Sequence, residues 1–450
     1  MTLQELLADW LPDQRWFAGK GRAIDDVTVE SDIELRSGEP GLRHLVIAVR
    51  QGGSVDRYQV LLGVRPGLPD KLKHAEIGWC ADGQGCAYDA AHDPELTGAV
   101  LDGMATDARI GDLSFRHVPG TTVTSGLHSL VIGAEQSNTS LVFGEAYVCK
   151  LFRRLAPGTN PDLELNMALA REGSGHIATP YGWLSGPVAG EPTTLAVLSR
   201  YLRTATDGWT LAATSVRDLY ADYGDDEVHA ADAGGDFAGE AGRLGVATAE
   251  VHRDLAHALG TTELPVDDVR ALADGMRQRL KEAVAEVPRL APHAPMVDAA
   301  YDELGRVGVP LTAQRVHGDF HLGQVVHTDQ RWVILDFEGE PARPLAERRR
   351  PTTPLRDVAG MLRSFEYAAR YQLIGHPDEE SLEPRARDWA RRNREAFCAG
   401  YAEACGTDPQ DHAVVLRALE LDKAVYEVMY EAHNRPTWLK IPLNSLARQS

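Results

Sequence analysis

The segment His-Gly-Asp-Phe-His-Leu-Gly-Gln at residues 317–324 constrains the fold of this 450-residue chain more than any other. It places a carboxylate, Asp319, five residues ahead of an amide side chain, Gln324. Two short apolar runs follow within 325–335, and the Thr-Asp-Gln turn that separates them predicts a pair of strands joined by that turn. This pair would return Asp336 to the side of the first loop, so the fold must close around three oxygen-bearing side chains.

An acid followed at this distance by an amide is the spacing of the protein kinase catalytic loop. There the acid accepts the proton of the substrate hydroxyl, while the amide oxygen and a later Asp bind magnesium. The sequence therefore predicts that Asp319 is the catalytic residue and that Gln324 and Asp336 are ligands of Mg²⁺, a cation that prefers oxygen. A His-Gly-Asp tripeptide alone also occurs in ordinary turns, but the loop, the strands and Asp336 together are specific.

A phosphotransferase of this kind also needs a cation on the nucleotide phosphates, held by an acid on the next helix. Lys150, on the apolar strand 147–152, and Glu164, on the helix that follows, occur in that order. The turn at 135–140 lacks a glycine-rich phosphate motif, but Ser137 within it offers a hydroxyl and a backbone N–H group. We expect ATP to be the phosphoryl donor.

The segment at residues 199–202 lies where a kinase-like hinge would offer backbone groups to adenine. Arg200, Tyr201 and Leu202 are therefore predicted nucleotide contacts. Asp207, shortly after this segment, is the candidate for binding the ribose hydroxyls. These assignments depend on position in the chain alone.

The hydrophobic pattern predicts an α+β chain in three parts. Residues 1–90 alternate apolar and polar positions between Gly and Pro turns, which predicts a sheet-rich cap subdomain after one helix. Residues 91–203 predict a helix from Pro94 and then strands, including a hairpin whose turn is Gly144-Glu145. Long helical patterns dominate residues 204–450, the part that carries the catalytic loop.

Charge and cysteine content limit the partners of the chain. The formal net charge is -20 and the pI is about 5.2, so we expect neither nucleic acid nor a membrane as a partner. For the same reason we expect the arginine run at 348–350 to be surface and structural rather than a nucleic-acid site. No apolar run could span a bilayer, and the first residues lack a basic leader pattern, so we expect a cytoplasmic protein. We also expect a monomer. Five cysteines without a Cys-x-x-Cys pair predict reduced, mostly buried thiols.

Seven short sequence segments, spread over most of the chain, resemble those of the actinobacterial maltokinase-like family. This family is a branch of the aminoglycoside phosphotransferases that includes maltokinases and glucosamine kinases. The resemblance implies a bilobal protein-kinase-like fold with an N-terminal cap and boundaries near residues 90 and 203. It also implies that Asp319 is the catalytic base, that Gln324 and Asp336 bind magnesium, and that Lys150 binds ATP. The seven segments are residues 15–20, 134–140, 150–153, 160–162, 317–324, 336–341 and 420–438.

The resemblance leaves the sugar open. Near the C-terminus, Thr437, Lys440 and His433 depart from the maltokinase pattern beside Trp438, a platform for a sugar ring. We therefore expect D-glucosamine, converted to glucosamine 6-phosphate, with maltose and maltose 1-phosphate as the alternative. A catalytically silent nucleotide-binding scaffold is a second alternative, which the joint retention of Lys150 and the three loop residues argues against.

An amino sugar carries an ammonium group that carboxylates would hold, whereas maltose needs room for a second ring. Helix acids are also commonly solvated or paired with neighbours such as Lys423 and Arg435, and this alternative stays open. The predicted substrate-binding residues are Asp319, Glu338, Asp422, Glu431, Asn434, Arg435 and Trp438.

Overall fold

The chain divides into two compact units. The first comprises Met1–Met167 and Ala178–Arg203, and the second comprises Ala168–Ile177 and Thr204–Ser450. The predicted boundaries near residues 90 and 203 stay predictions. The computed structural model describes residues 1–80, 85–132, 137–221, 230–231, 235–341 and 343–448.

The first unit contains two antiparallel sheets and three helices within its described residues. The helices are α1 (Leu3–Trp10), α2 (Pro94–Ala105) and α3 (Pro161–Arg171), whose last residues belong to the second unit. The strands are β1 (Asp26–Arg36), β2 (Gly41–Gln51), β3 (Ser54–Arg65), β4 (Glu76–Trp79), β5 (Cys86–Asp89), β6 (Arg109–Ile110), β7 (Leu113–His117), β8 (Ser129–Ile132), β9 (Asn138–Phe143), β10 (Tyr147–Phe152), β11 (Arg154–Leu155), β12 (Pro180–Val188) and β13 (Glu191–Arg200).

The N-terminal sheet has the strand order β1-β2-β3-β5-β4, and β11 pairs with β3. Helix α1 begins with a capping box, in which the Thr2 hydroxyl accepts the N–H of Glu5 and the Glu5 carboxylate accepts the N–H of Thr2. The core beside it is aromatic, because the Tyr58 ring packs against those of Trp16 and Phe17. This arrangement confirms the prediction of a sheet-rich N-terminal part after one helix.

The second sheet has the order β6-β7-β12-β13-β10-β9-β8. Its central hairpin, β9 and β10, turns at Gly144 and Glu145, both of which have positive φ, at 52° and 58°. Positive φ at both positions is the requirement of the tight turn that matches strand twist, so this prediction is confirmed. The apolar pattern predicts a strand over residues 177–183, but β12 begins only at Pro180, since Ile177 forms an isolated bridge with Ile334 in the second unit.

The second unit is mainly helical. Its helices are α4 (Gly208–Ala221), α5 (Ala238–Leu259), α6 (Val266–Glu286), α7 (Ala294–Gly305), α8 (Leu345–Arg348), α9 (Leu355–Arg370), α10 (Glu379–Cys405), α11 (Ala413–Asn434) and α12 (Lys440–Ala447). Its strands are β14 (Thr206–Asp207), β15 (Thr261–Leu264), β16 (Leu311–Gln314), β17 (Val325–His327) and β18 (Trp332–Ile334). In the described residues they form one sheet of order β14-β17-β18 and a pair β15-β16.

Two glycines let α5 and α10 approach each other backbone to backbone. A Cβ atom added to Gly245 would lie 2.1 Å from the carbonyl oxygen of Phe397, and one added to Gly400 would lie 2.0 Å from that of Gly242. Any side chain at either position would force the helices apart. Beside this crossing, the rings of Phe237 and Trp389 stack at 6.0 Å.

The remaining broad expectations have mixed outcomes. Cys86, Cys149 and Cys398 are buried free thiols, but Cys405 is exposed at the end of α10. In the described part of the chain, no helix combines the length and apolar character that crossing a membrane requires.

A buried ion pair stabilises the first unit. The Arg153 and Asp89 side chains are at most 2% exposed, and Arg153 Nη2 lies 2.6 Å from Asp89 Oδ2. Arg153 Nε also donates to the Thr139 hydroxyl at 2.8 Å, and the guanidinium group lies 4.9 Å from the centre of the Trp16 ring. The pair therefore connects the first sheet, through β5, to β9 of the second.

We predict that Arg153→Leu lowers the free energy of unfolding by about 3–5 kcal/mol, because it leaves the Asp89 carboxylate buried without its cation. The next residue offers a matched control, since Arg154 pairs with Asp56 but is 50% exposed. Arg154→Leu should cost less than about 1 kcal/mol. Urea unfolding followed by fluorescence measures both free energies of unfolding. Equal losses would show that the buried pair contributes no more to stability than the exposed one.

Candidate catalytic site

The predicted catalytic loop is held by a buried carboxylate, Asp357, in the first turn of α9. Asp357 Oδ2 and Oδ1 accept the backbone N–H groups of His317 and Gly318, each at 2.8 Å. His252 Nε2 donates to the same carboxylate at 3.0 Å. Burial, the largest single effect, raises the pKa of Asp357, but the hydrogen bond and charge of His252, the charge of His317 and the N–H of Gly318 together outweigh it, so the net shift is downward and the group stays ionised.

Gly318 makes the tight path of this loop possible. Its φ is +86°, and an added Cβ atom would lie 3.3 Å from the Cα of Gly339. The His317 ring then ties the loop to the strand that follows it, because Nε2 donates to the carbonyl of Leu335 at 2.8 Å and Nδ1 accepts the N–H of Asp319 at 3.3 Å.

The two predicted metal ligands lie side by side in the second unit. Strands β17 and β18 pair as a hairpin, as predicted, and the N–H of Leu335 donates to the carbonyl of Gln324 at 2.8 Å. The Gln324 amide nitrogen donates to Asp336 Oδ2 at 3.0 Å. Asp336 itself has φ +64°, a left-handed conformation that is unusual for a residue other than glycine and that occurs preferentially at functional sites.

This pair suits Mg²⁺ when the ion is bound together with a nucleotide. Magnesium commonly takes one or two protein oxygens and completes its shell with water and phosphate oxygens. Among the described residues, no group of three or more His, Cys, Asp or Glu side chains could hold a metal ion. The donor chemistry therefore fits a shared ion better than a closed protein cage.

Asp319 is paired with Lys423 of α11. Lys423 Nζ lies 2.9 Å from Asp319 Oδ1, and the same ammonium group lies 4.9 Å from the centre of the Tyr426 ring. Burial alone would raise the pKa of Asp319, but the charge of Lys423, with smaller contributions from His321 and His317, lowers it to about 2. Asp319 is thus ionised at every pH at which the protein would work.

Sequence reasoning did not identify two residues of this site. Lys423 was considered only as a partner for helix acids, although it belongs to the same C-terminal block as the predicted substrate residues. Asp357 carried a weak signal, an acid in the first turn of a strongly amphipathic helix. Neither residue lies near the loop in sequence, so only the fold brings them to Asp319 and Gly318.

The predicted substrate acids each contact a guanidinium group. Asp422 binds Arg279 at 2.8 Å, Glu431 binds Arg435 at 2.7 Å, and Glu338 lies 3.9 Å from Arg348. Their assignment as substrate ligands stays a prediction. Arg348 is only 11% exposed and donates to the backbone carbonyl of Glu338, so this residue of the 348–350 run has the expected structural role but is not a surface side chain.

The aromatic platform predicted at Trp438 has a cation on one face. The Arg435 guanidinium lies 4.4 Å from the centre of the Trp438 ring and 5.4 Å from that of Tyr430. Asn434 is exposed and its amide donates to the carbonyl of Tyr430 at 2.9 Å. A sugar ring would therefore meet a Trp438 that is already partly covered.

In the first unit, Lys150 Nζ lies 3.8 Å from the carboxylate of Asp162 and 5.6 Å from the centre of the Phe152 ring. Asp162, an acid on α3, therefore lies within reach of Lys150, whereas the sequence pattern pointed to Glu164. Glu164 lies on the same helix, and its predicted role stays a prediction. Ser137 is exposed, while residues 135 and 136 of the predicted phosphate turn lie outside the described residues.

Two backbone N–H groups of the predicted hinge already form hydrogen bonds within the fold. The N–H groups of Arg200 and Tyr201 donate to the carbonyls of Thr179 and Ala146, at 2.8 and 2.9 Å. A backbone donor for adenine would therefore have to come from Leu202. Asp207, in the second unit, caps α4 by accepting the N–H of Thr210 at 2.8 Å, a structural role that competes with the predicted ribose contact.

Comparison with known proteins gives the family. Residues 10–93 match the family model described as the maltokinase N-terminal cap domain. A glucosamine kinase from Streptacidiphilus jiangxiensis is 32% identical over 345 residues, which cover 73% of this chain and 74% of that protein. This chain belongs to the glucosamine kinase family. A second member of this family, from Mycolicibacterium smegmatis, is 29% identical over 326 residues, 69% of this chain and 77% of its own.

A solved glucosamine kinase family structure agrees over nearly the whole length. The structure of a glucosamine kinase in complex with glucosamine, ADP and inorganic phosphate has a TM-score of 0.70 and 26% identity, and covers 99% of this chain and 98% of its own. A second crystal form has a TM-score of 0.72. The suspected family and the α+β kinase fold with a sheet-rich N-terminal region are confirmed, and with them the kinase class of enzyme.

The ion pair at Asp319 generates a prediction about pH dependence. Lys423→Met removes the cation that opposes burial, so the pKa of Asp319 should rise from about 2. The acid limb of the profile of kcat/KM against pH, which reports an ionised Asp319, should therefore move to higher pH. Kinase activity measured from pH 4 to pH 8 tests this shift, because the unmodified protein, with a pKa of about 2 at Asp319, should show no acid limb from this group in that range.

Lys423→Arg is the control, because it keeps the positive charge and should, like the unmodified protein, show no acid limb from Asp319 between pH 4 and pH 8. Coincident profiles for Lys423→Met and the unmodified protein would contradict the assigned coupling between these two groups.

Proposed function

We propose that this chain is an ATP-dependent glucosamine kinase that converts D-glucosamine to glucosamine 6-phosphate. The observation that carries the proposal is the arrangement of Asp319, Gln324 and Asp336 on one loop and hairpin, in a chain that matches a glucosamine kinase bound to glucosamine and ADP over 99% of its length. Asp319 supplies a carboxylate to the acceptor hydroxyl, and the other two residues supply oxygen ligands.

In this proposal Asp319 acts mainly by orientation. A carboxylate with a pKa of about 2 is a weak base, so it accepts a hydrogen bond from the sugar hydroxyl well before it could take the proton. Phosphoryl transfer through a loose transition state needs little base strength, because the hydroxyl loses its proton late. Lys423 keeps Asp319 ionised and so keeps it an acceptor.

The Gln324 carbonyl oxygen and the Asp336 carboxylate would hold Mg²⁺. When bound, the ion neutralises charge that develops on the transferring phosphate. The hydrogen bond between the two side chains, at 3.0 Å, orients the amide, and the Leu335 N–H fixes the Gln324 backbone. The fold therefore orients both side chains, which supports the proposed role.

For the nucleotide we propose Lys150, supported by its place on β10 and by the acids of α3. Lys150 is 14% exposed, and the nearby Asp162 carboxylate would keep its ammonium group charged and oriented. Glu164, Ser137, Arg200, Tyr201, Leu202 and Asp207 complete the proposed set, with Leu202 favoured as the backbone donor because the amides of its two predecessors are already bonded.

For the amino group of the sugar we propose the carboxylates of Glu338, Asp422 and Glu431, with Asn434, Arg435 and Trp438 beside them. Because each acid already contacts a guanidinium group, the substrate ammonium would share or displace that cation. We also propose that the protein is a monomer.

Maltose is the second candidate acceptor. The match of residues 10–93 to a cap domain described from maltokinases favours it. Against it stand the curated relatives, which are glucosamine kinases and cover more of the chain. A silent scaffold is disfavoured because Lys150, Asp319, Gln324 and Asp336 are all present.

A coupled assay of ADP release decides between the two sugars. We expect turnover with glucosamine, weak turnover with glucose, and none with maltose. Change of Glu338, Asp422 or Glu431 to the corresponding amide, one at a time, should reduce kcat/KM for glucosamine relative to glucose by roughly ten- to hundredfold in at least one variant, since a charged hydrogen bond contributes about 1.5–3 kcal/mol.

Arg279→Gln controls for disruption of the ion pair, because it breaks the contact of Asp422 while keeping the carboxylate. A loss that equals that of Asp422→Asn for both sugars would indicate a structural role. Robust phosphorylation of maltose with no activity on glucosamine would reject the proposed substrate.

We also predict that Asp336→Asn reduces kcat by roughly a hundredfold or more and raises the Mg²⁺ concentration needed for half-maximal rate, because a metal ion supplies several kcal/mol to this chemistry. Asn tolerates the left-handed backbone at this position, so the fold should be unchanged. Magnesium titration of the initial rate is the measurement. An unchanged requirement for Mg²⁺ would remove Asp336 from the metal site.

A further inference from the structure

A cavity of about 710 Å³ that contains several arginines lies in the second unit among the helices α9, α10, α11 and α12. Its lining contains none of the residues of the catalytic loop. The residues that line it are Glu366, Arg370, Arg387, Arg394, Gln410, Ala413, Leu416, Arg417, Glu420, Ser445 and Arg448.

The charge of this cavity is opposite to that of the chain. Five arginines and two glutamates line it, while the formal net charge of the whole protein is -20. Two further acids contact these arginines: Glu383 binds Arg370 and Arg448, and Glu303 lies 3.9 Å from Arg417. Five guanidinium groups therefore face four carboxylates, and the excess is positive.

The arginines are not fully compensated by these acids. Arg370 and Arg448 share Glu366 and Glu383, and burial together with the charge of Arg370 lowers the pKa of Arg448. Within the described residues, Arg387 makes no ion pair. A bound anion would relieve the repulsion among these groups, and guanidinium groups are the side chains best suited to bind phosphate oxygens.

The remaining lining indicates what the anion carries. The volume is that of a small-molecule site rather than of a lone phosphate ion. Among the described residues that line the cavity none is aromatic, so a nucleotide base would have no ring on which to stack. The polar side chains of Gln410, Ser445, Glu366 and Glu420 suit hydroxyl or amino substituents. Glu366 and Glu420 already accept from Arg370 and Arg394, so a ligand would share these acceptors.

We infer that this cavity is a binding site for a phosphorylated sugar, separate from the catalytic loop. Two of the helices that line this cavity also carry residues that contact the catalytic loop. Helix α9 carries Asp357 in its first turn and Arg370 at its end, about 20 Å further along the axis. Helix α11 carries Glu420, which lines the cavity, and three residues later Lys423, which forms the ion pair with Asp319.

The test is calorimetric titration of the full-length protein with glucose 6-phosphate, in the presence of excess glucosamine to fill the acceptor site. We expect saturable binding, and at least a tenfold weaker affinity in the double variant Arg387→Gln/Arg417→Gln. Both side chains are exposed, so the thermal unfolding midpoint should not change. The inference does not require the chain to phosphorylate glucosamine, because binding is measured without turnover.

The matched control is Arg270→Gln/Arg391→Gln, which removes the same charge from two exposed arginines outside the cavity and should bind as the unmodified protein does. Absence of saturable binding would overturn the inference, as would equal binding by the cavity variant. Inorganic phosphate binding as tightly as glucose 6-phosphate would overturn the assignment to a sugar. If glucosamine is not a substrate but the cavity variant still loses affinity, the proposed function fails and this inference stands.

Discussion

The site in the second unit depends on one buried carboxylate, Asp357. It accepts two consecutive backbone N–H groups from the catalytic loop and a third hydrogen bond from His252. A charged acceptor of this kind binds backbone amides more strongly than a neutral one, and the N-terminus of α9 favours its negative charge. A residue that lies outside the loop thus fixes the backbone of the loop.

The chemistry of the loop follows from two opposed effects on Asp319. Burial disfavours its charge, and the ammonium group of Lys423 restores that charge. An acid placed between these effects responds to any change in either one. The protein therefore couples the state of Asp319 to α11, the helix that also carries the candidate sugar ligands Asp422 and Glu431.

The catalytic loop, the hairpin after it and the turn at Gly144 could be predicted from sequence because local patterns decide them. Spacing placed Asp319, Gln324 and Asp336 on adjoining segments, and the structure pairs the last two directly. The partners of these residues could not be predicted, because Lys423 and Asp357 reach the loop only through helix packing. The start of β12 was also missed, since a bridge from Ile177 to Ile334 depends on tertiary contact. Asp422 matched a motif, but its partner Arg279 lies on another helix and no local pattern indicated it, whereas Glu431 and Arg435 have the i,i+4 spacing of a helix pair.

The left-handed backbone at Asp336 limits which residues evolution can place there. Glycine, asparagine and aspartate adopt this conformation at low cost, whereas most other side chains clash with the neighbouring carbonyl by roughly 1–2 kcal/mol. Of these three, only aspartate brings a full negative charge, and the backbone disfavours glutamate even before its longer side chain is considered. Lineages that lose this proposed metal ligand can therefore drift most easily to asparagine or glycine, and such a replacement in a related sequence would mark an inactive descendant whose fold is intact.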